Sequence, residues 1–125
     1  MKRIISSPDA PAAIGPYSHA VEANGFVFVS GQLPILPSAG KIVATDVTGQ
    51  TDQVIKNIMA ILNAAGCTLE NVVKNTVFLA DISYFAAMNE VYKQYFKEDC
   101  PARSAFAIKD LPLGALVEIE TIAAK

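Results

Sequence analysis

Arg103, Glu118 and Glu120 are the residues whose type and placement in this 125-residue chain could do chemistry. They lie in CPARSAFAIKDLPLGALVEIETIA, residues 100–123, where apolar residues alternate as in two β-strands joined by a turn. Side chains alternate along a strand, so Arg103, Ala105 and Ala107 share one face, and Glu118 and Glu120 share one face of the second strand. Antiparallel pairing through a turn at Asp110–Gly114 would bring both glutamates within about one or two ladder positions of Arg103 or Ser104. A cross-strand ion pair on a solvated face is the plain reading, worth about 0–1 kcal/mol. The functional reading is a small anion pocket. Ala105 and Ala107 leave room beside the guanidinium, whose fork matches a carboxylate with two hydrogen bonds.

The elements that must position these residues can be read from periodicity. A short edge strand at Arg3–Ser6 is followed by a loop marked by Pro8, Pro11, Gly15 and Pro16. Strands over Tyr17–Val21 and Phe26–Ser30 should turn through Asn24-Gly25, a preferred hairpin dipeptide. A further loop covers LPSAGKIVATDVTGQ. Val54, Ile55, Ile58, Ile61, Leu62 and Ala65 then recur at helical spacing up to the stop signal Gly66. VVKNTVFLA, residues 72–80, has the β-branched and aromatic content of a central strand. Asp81 or Ser83 can cap a second helix with Phe85, Met88, Val91, Tyr92, Tyr95 and Phe96 on its apolar face. The order predicts one α+β domain over residues 1–125, a mixed six-stranded sheet with two helices on one face. The other face needs a cover.

Composition narrows the function classes. The chain is 52% hydrophobic and 18% charged, more apolar than an average domain, and the excess points to a subunit interface. A net charge of -2, a pI near 5.3 and dispersed lysines leave no track for a phosphate backbone, so no nucleic acid is expected. No apolar run is long enough for a transmembrane helix and MKRIISSPDAP has no apolar core of a signal peptide, so no membrane partner and a cytoplasmic location are expected. Cys67 and Cys100 read as free thiols, and the lone His19 forms no zinc-ligand spacing with them.

Several stretches together carry a resemblance: GPYSHA at 15–20, FVSGQLP at 28–34, NAAGC at 63–67, VVKNTVFLADIS at 72–83, NEVYKQYF at 89–96, and PARSAF followed by VEIETIA. In this combination the chain resembles the Rid family, the reactive-intermediate deaminases also called YjgF-like proteins. The resemblance implies a chorismate-mutase-like fold, a homotrimer whose sheets line a central barrel, and sites between subunits. It also implies hydrolysis of 2-imino or 2-enamino acids such as 2-aminoacrylate, released by pyridoxal-phosphate enzymes, to 2-keto acids and ammonia. No cofactor and no metal are implied.

Carried onto this sequence, the resemblance makes Arg103 the grip on the substrate carboxylate and Glu118 the residue that orients water, helped by a backbone carbonyl near Ala105. Tyr17, Ser30, Gly31 and Asn89 would wall the pocket. Tyr17 could instead anchor its loop, Gly31 serve a bulge, and Asn89 lie on a solvated helix face. Beside Arg103, Glu118 is expected to stay ionised and to position water before acting as a base. Ala105 stands where some members have cysteine, which removes a thiol nucleophile, and His19 is not assigned as a base. Two other readings use the same residues or relatives: a trimer that binds keto acids or small carboxylates without turnover, and a ribonuclease or translation inhibitor, which the acidic pI disfavours.

Overall fold

The chain's most β-prone segments build its sheet, and the computed structural model describes all of Met1–Lys125. Strands β1 (Arg3–Ile5), β2 (Ala20–Ala23) and β3 (Phe26–Gln32) form an antiparallel meander. Asn24 and Gly25 both have positive φ, 52° and 80°, as the tight turn between β2 and β3 requires. β2 starts three residues later than the pattern suggested, because Tyr17 to His19 are committed to the preceding loop. There the His19 ring accepts from the Ser7 N–H at 3.0 Å and meets the Pro11 carbonyl at 2.7 Å. Both ring nitrogens are thereby used to hold the loop.

The segment expected to be a loop before the first helix is more regular than that. It contains the short hairpin β4 (Ile35–Leu36) and β5 (Lys41–Ile42), and helix α1 begins at Val47 and runs to Ala64. Val47, Thr48, Gly49 and Gln50 fall in the stretch expected to be loop, yet the Asp46 carboxylate caps the helix by accepting from the Gly49 N–H at 2.8 Å. Gln50 adds two bonds of its own, donating to the Ala44 carbonyl and accepting from the Leu116 N–H. The buried stripe Val54, Ile55, Ile58, Ile61 and Leu62 faces the sheet, and each such side chain contributes about 1.5–3 kcal/mol of burial. Gly66, at φ 79°, ends the helix.

Strand β6 (Val72–Leu79) leads through a 3-10 turn, Ile82–Tyr84, capped by Asp81, into α2 (Phe85–Tyr95) and then β7 (Ala102–Ala107). β6 and β7 pair in parallel, as a strand, helix, strand unit must when the helix crosses over the sheet. β8 (Val117–Ala124) then pairs antiparallel with both β3 and β6. The sheet order is β1-β2-β3-β8-β6-β7, a mixed six-stranded sheet with both helices on one face, as expected. The expected hairpin between residues 103–108 and 117–123 is not formed. Leu113 and Gly114 have positive φ, and the chain there crosses the end of β6 instead of folding back on β7.

This topology sets which residues share a face. Arg103, Asn75 and Thr121 are partners at one level across three strands, and Ala105, Val77 and Ile119 are partners at another. Val77, Ile119, Asn75 and Thr121 are buried, so that face meets the helices. Phe106, Phe78 and Glu118 are likewise aligned, but on the opposite face, with Ser104, Thr76 and Glu120 beside them. That open face carries exposed aromatics: Phe26, Phe28 at 46% and Phe106. No helix is long and apolar enough to cross a membrane.

Asn57 ties α1 to the strand that follows β3. Its buried amide donates to the carbonyls of Leu33 and Ile35 at 3.1 and 2.9 Å, and its oxygen accepts from Gln53. Asn57→Ala should strand those carbonyls and cost about 2 kcal/mol, read as a lower urea midpoint at unchanged slope.

Candidate functional site

The bulge in β3 is where the open face becomes polar. Val29 pairs with Thr121 and Gln32 with Ile119, so three steps along β3 match two along β8, and Ser30-Gly31 bulge beside Glu118 and Glu120. Ser30 is fixed there by two bonds, its hydroxyl donating to the Ser18 carbonyl at 2.6 Å and its N–H to the His19 carbonyl at 3.0 Å. A Cβ on Gly31 would overlap Glu118 Oε2, with the carboxyl carbon 3.1 Å away. Space, not backbone angle, is what favours glycine here.

Tyr17, Ser30, Gly31, Glu118 and Glu120 line one cleft of about 440 Å³ with Ile14, Leu33 and Pro112. Tyr17 also anchors its loop, its hydroxyl accepting from the Ile14 N–H at 3.3 Å. Burial, and then the Glu120 carboxylate, push the Glu118 carboxyl above the usual range. Glu118 is therefore easier to protonate than a free carboxylate. No Arg103 guanidinium offsets this within one chain, because β6 lies between β7 and β8.

Arg103 lies on the helix face with Asn89 and Ala105. Its guanidinium donates to Asn89 Oδ1 at 2.7 Å and sits over the rings of Tyr92 and Phe85, 4.7 and 5.5 Å from their centroids. Asn89 is thus no merely solvated helix residue. None of the protein's ion pairs includes Arg103. Ala105 packs against the core two residues farther along β7.

Sequence reasoning named both halves but also offered a hairpin within one chain to join them, and that hairpin is not formed. Tyr17, Ser30, Gly31 and Glu118 come together on the open face, and Arg103, Asn89 and Ala105 on the other. Ile14, Leu33 and Pro112 escaped it, since apolar loop residues carry no signal until folding brings them to one cleft. Phe85 and Tyr92 were visible as a helical stripe but read as core. No group of three His, Cys, Asp or Glu side chains is placed to hold a metal, and Cys100 Sγ engages the Phe96 carbonyl.

Residues 7–125 match the family model described as Endoribonuclease L-PSP. The chain belongs to the Rid (YjgF/RutC) family. A RutC family protein of Pyrococcus horikoshii is 52% identical over 125 residues, covering 100% of this chain and 99% of that protein. The 2-iminobutanoate/2-iminopropanoate deaminase of Homo sapiens, by its name a hydrolase acting on C–N bonds, is 49% identical over 98% of this chain and 90% of its own length. Among solved structures, Escherichia coli TdcF with bound serine is 43% identical with a TM-score of 0.94, covering 98% of each chain. The Rid fold of this chain is therefore the YjgF-like α+β fold, and Arg103 and Glu118 stand on opposite faces of it.

In this Rid chain Gly31→Ala should leave folding within about 1 kcal/mol of wild type, because the overlapped atom ends a flexible side chain. A crystal structure of the variant should show the Glu118 carboxyl turned away from residue 31; an unmoved carboxyl would contradict the close approach.

Proposed function

We propose that this protein is a 2-imino acid deaminase, hydrolysing 2-iminobutanoate, 2-iminopropanoate and their enamine tautomers to 2-keto acids and ammonia. The carrying observation is the division of the polar groups: an arginine without a carboxylate partner on one face, and a cleft with a partly buried glutamate on the other. A site that uses both requires a second copy of the chain. We infer a homotrimer in which the open faces cover one another, consistent with the exposed Phe26, Phe28 and Phe106. Arg103 lies on β7, an outer edge of the sheet, from which it would reach the Tyr17–Glu118 cleft of a neighbour.

The chemistry asked of such a site is modest. Arg103 grips the substrate carboxylate through its free donors. Glu118 takes a proton from water as the water oxygen bonds to the imine carbon and passes it to nitrogen, which receives the C=N π pair; a second transfer through Glu118 carries the carbinol O–H proton to nitrogen as the C=O bond forms, the C–N bond breaks and ammonia leaves. A carboxyl raised by burial is suited to both transfers. Ser30 and Tyr17 shape the cleft, while Ile14, Leu33 and Pro112 offer the apolar wall that a short alkyl side chain would meet. No step calls for a cofactor. The relatives named as deaminases support this reading, and a net charge of -2 offers little to an RNA backbone.

The test is to generate 2-aminoacrylate or 2-iminobutanoate in place with a dehydratase and follow keto-acid formation. Acceleration by the protein supports turnover, while keto-acid binding with no acceleration would leave only a binding module. Arg103→Ala and Glu118→Gln should each reduce kcat/KM by about 30-fold or more. Refolded together they should regain about a quarter of the wild-type sites, since mixed trimers pair an intact arginine with an intact glutamate at one interface in three. Failure of the mixture to exceed its parts would discard the shared site.

A pH profile tests Glu118 separately. Turnover should fall on the acid side as Glu118 becomes protonated. Glu120→Gln removes one of the two causes that raise Glu118, so the acid limb of kcat/KM should move to lower pH. An unmoved limb would assign it to another group.

A further inference from the structure

A line of polar side chains crosses three strands inside the protein and ends at Arg103. Thr121 of β8, Asn75 of β6 and Arg103 of β7 occupy one level of the sheet. The Thr121 hydroxyl donates to Asn75 Oδ1 at 2.6 Å, and Asn75 Nδ2 donates to the Tyr92 hydroxyl at 2.9 Å. Thr121 and Asn75 are each 1% exposed and Tyr92 6%. The Tyr92 ring then presents its face to the Arg103 guanidinium, which Asn89 holds from the side.

A polar pair in the middle of a sheet core is costly, because an apolar pair of the same shape would fill the space without desolvation. The bland account is that the pair is satisfied and merely specifies the fold. It does not explain why the outward end of the line is a tyrosine hydroxyl whose ring carries the cation. Phe85, Asn89 and Tyr92 lie at i, i+4 and i+7 on one stripe of α2, so one helix face supplies a ring, an amide acceptor and a second ring around one guanidinium. An arginine with no carboxylate partner would otherwise sample many rotamers.

We propose that Tyr92 is a positioning residue, tethered through Asn75 to Thr121, whose ring fixes the plane in which Arg103 presents its donors to the substrate carboxylate. This rests on the reading of Arg103 as the carboxylate grip. Tyr92 and Thr121 touch no substrate in this arrangement. Their effect is on binding: a guanidinium held in plane offers its paired donors without first losing side-chain freedom.

Three measurements test it. In the unaltered protein, the Arg103 Nε–Hε NMR signal should be displaced by the ring faces and exchange slowly, and a signal at the free-arginine position would overturn the proposal. Thr121→Val, isosteric and two strands from Arg103, should raise KM for imino acids about 3- to 10-fold while kcat stays within about twofold. Tyr92→Leu should raise KM by about 10-fold or more and return the Arg103 signal to the free position, whereas Tyr92→Phe, which keeps the ring, should fall between wild type and Leu. A merely structural role would lower the melting temperature in these variants and leave KM and the Arg103 signal at wild-type values. Arg103→Ala, measured alongside, separates the two failures. Wild-type turnover in that variant would remove the carboxylate grip itself, while a defective Arg103→Ala beside folded Thr121→Val and Tyr92→Leu with wild-type KM would overturn only the positioning role.

Discussion

β8 is hydrogen-bonded along both edges, to β3 on one side and β6 on the other, and the placing of Glu118, Glu120, Asn75 and Arg103 follows from that double pairing. Its period of two sends Val117, Ile119, Thr121 and Ala123 into the core and leaves Glu118 and Glu120 on the open face. A one-residue slip would reverse the set and bury both carboxylates against α1. The buried residues on that strand therefore fix the glutamates as firmly as any bond to the glutamates themselves. The same register aligns Asn75 with Thr121 and, through β6, with Arg103.

Local devices then refine what the sheet dictates. The Ser30-Gly31 bulge lets the β3 backbone approach Glu118 closely, and the loop from Ser7 to His19 is held by a histidine with both ring nitrogens engaged. Burying such a ring with its polar atoms satisfied avoids the penalty of an orphaned group. The loop's ordered path is what brings Ile14 and Tyr17 over the cleft.

Periodicity made the two helices, the Asn24-Gly25 turn and the individual strands of the six-stranded sheet legible, because each depends on residues near in sequence. Strand partnership was not legible. The turn at Asp110–Gly114 looks like a hairpin connection, and only packing of α2 across the sheet forces β7 to run parallel to β6 and sends β8 elsewhere. Arg103 and Glu118 were identifiable by residue type and motif, but their separation across the sheet depends on that long-range choice. The start of α1 was hidden for a different reason: Val47, Thr48 and Gly49 have weak helix propensity, and the Asp46 cap with the Gln50 bonds overrides it.

The position of β8 also governs the order in which the molecule can be made. β3 and β6 never touch as partners, for the last strand in the chain lies between them. As the polypeptide leaves the ribosome, the β1–β3 meander and the β6–α2–β7 unit can each form, but each keeps an open edge facing the other until residue 124 has emerged. Those edges can pair with another nascent chain as readily as with β8. Completion of the core therefore waits for β8, the last of the six sheet strands to be made.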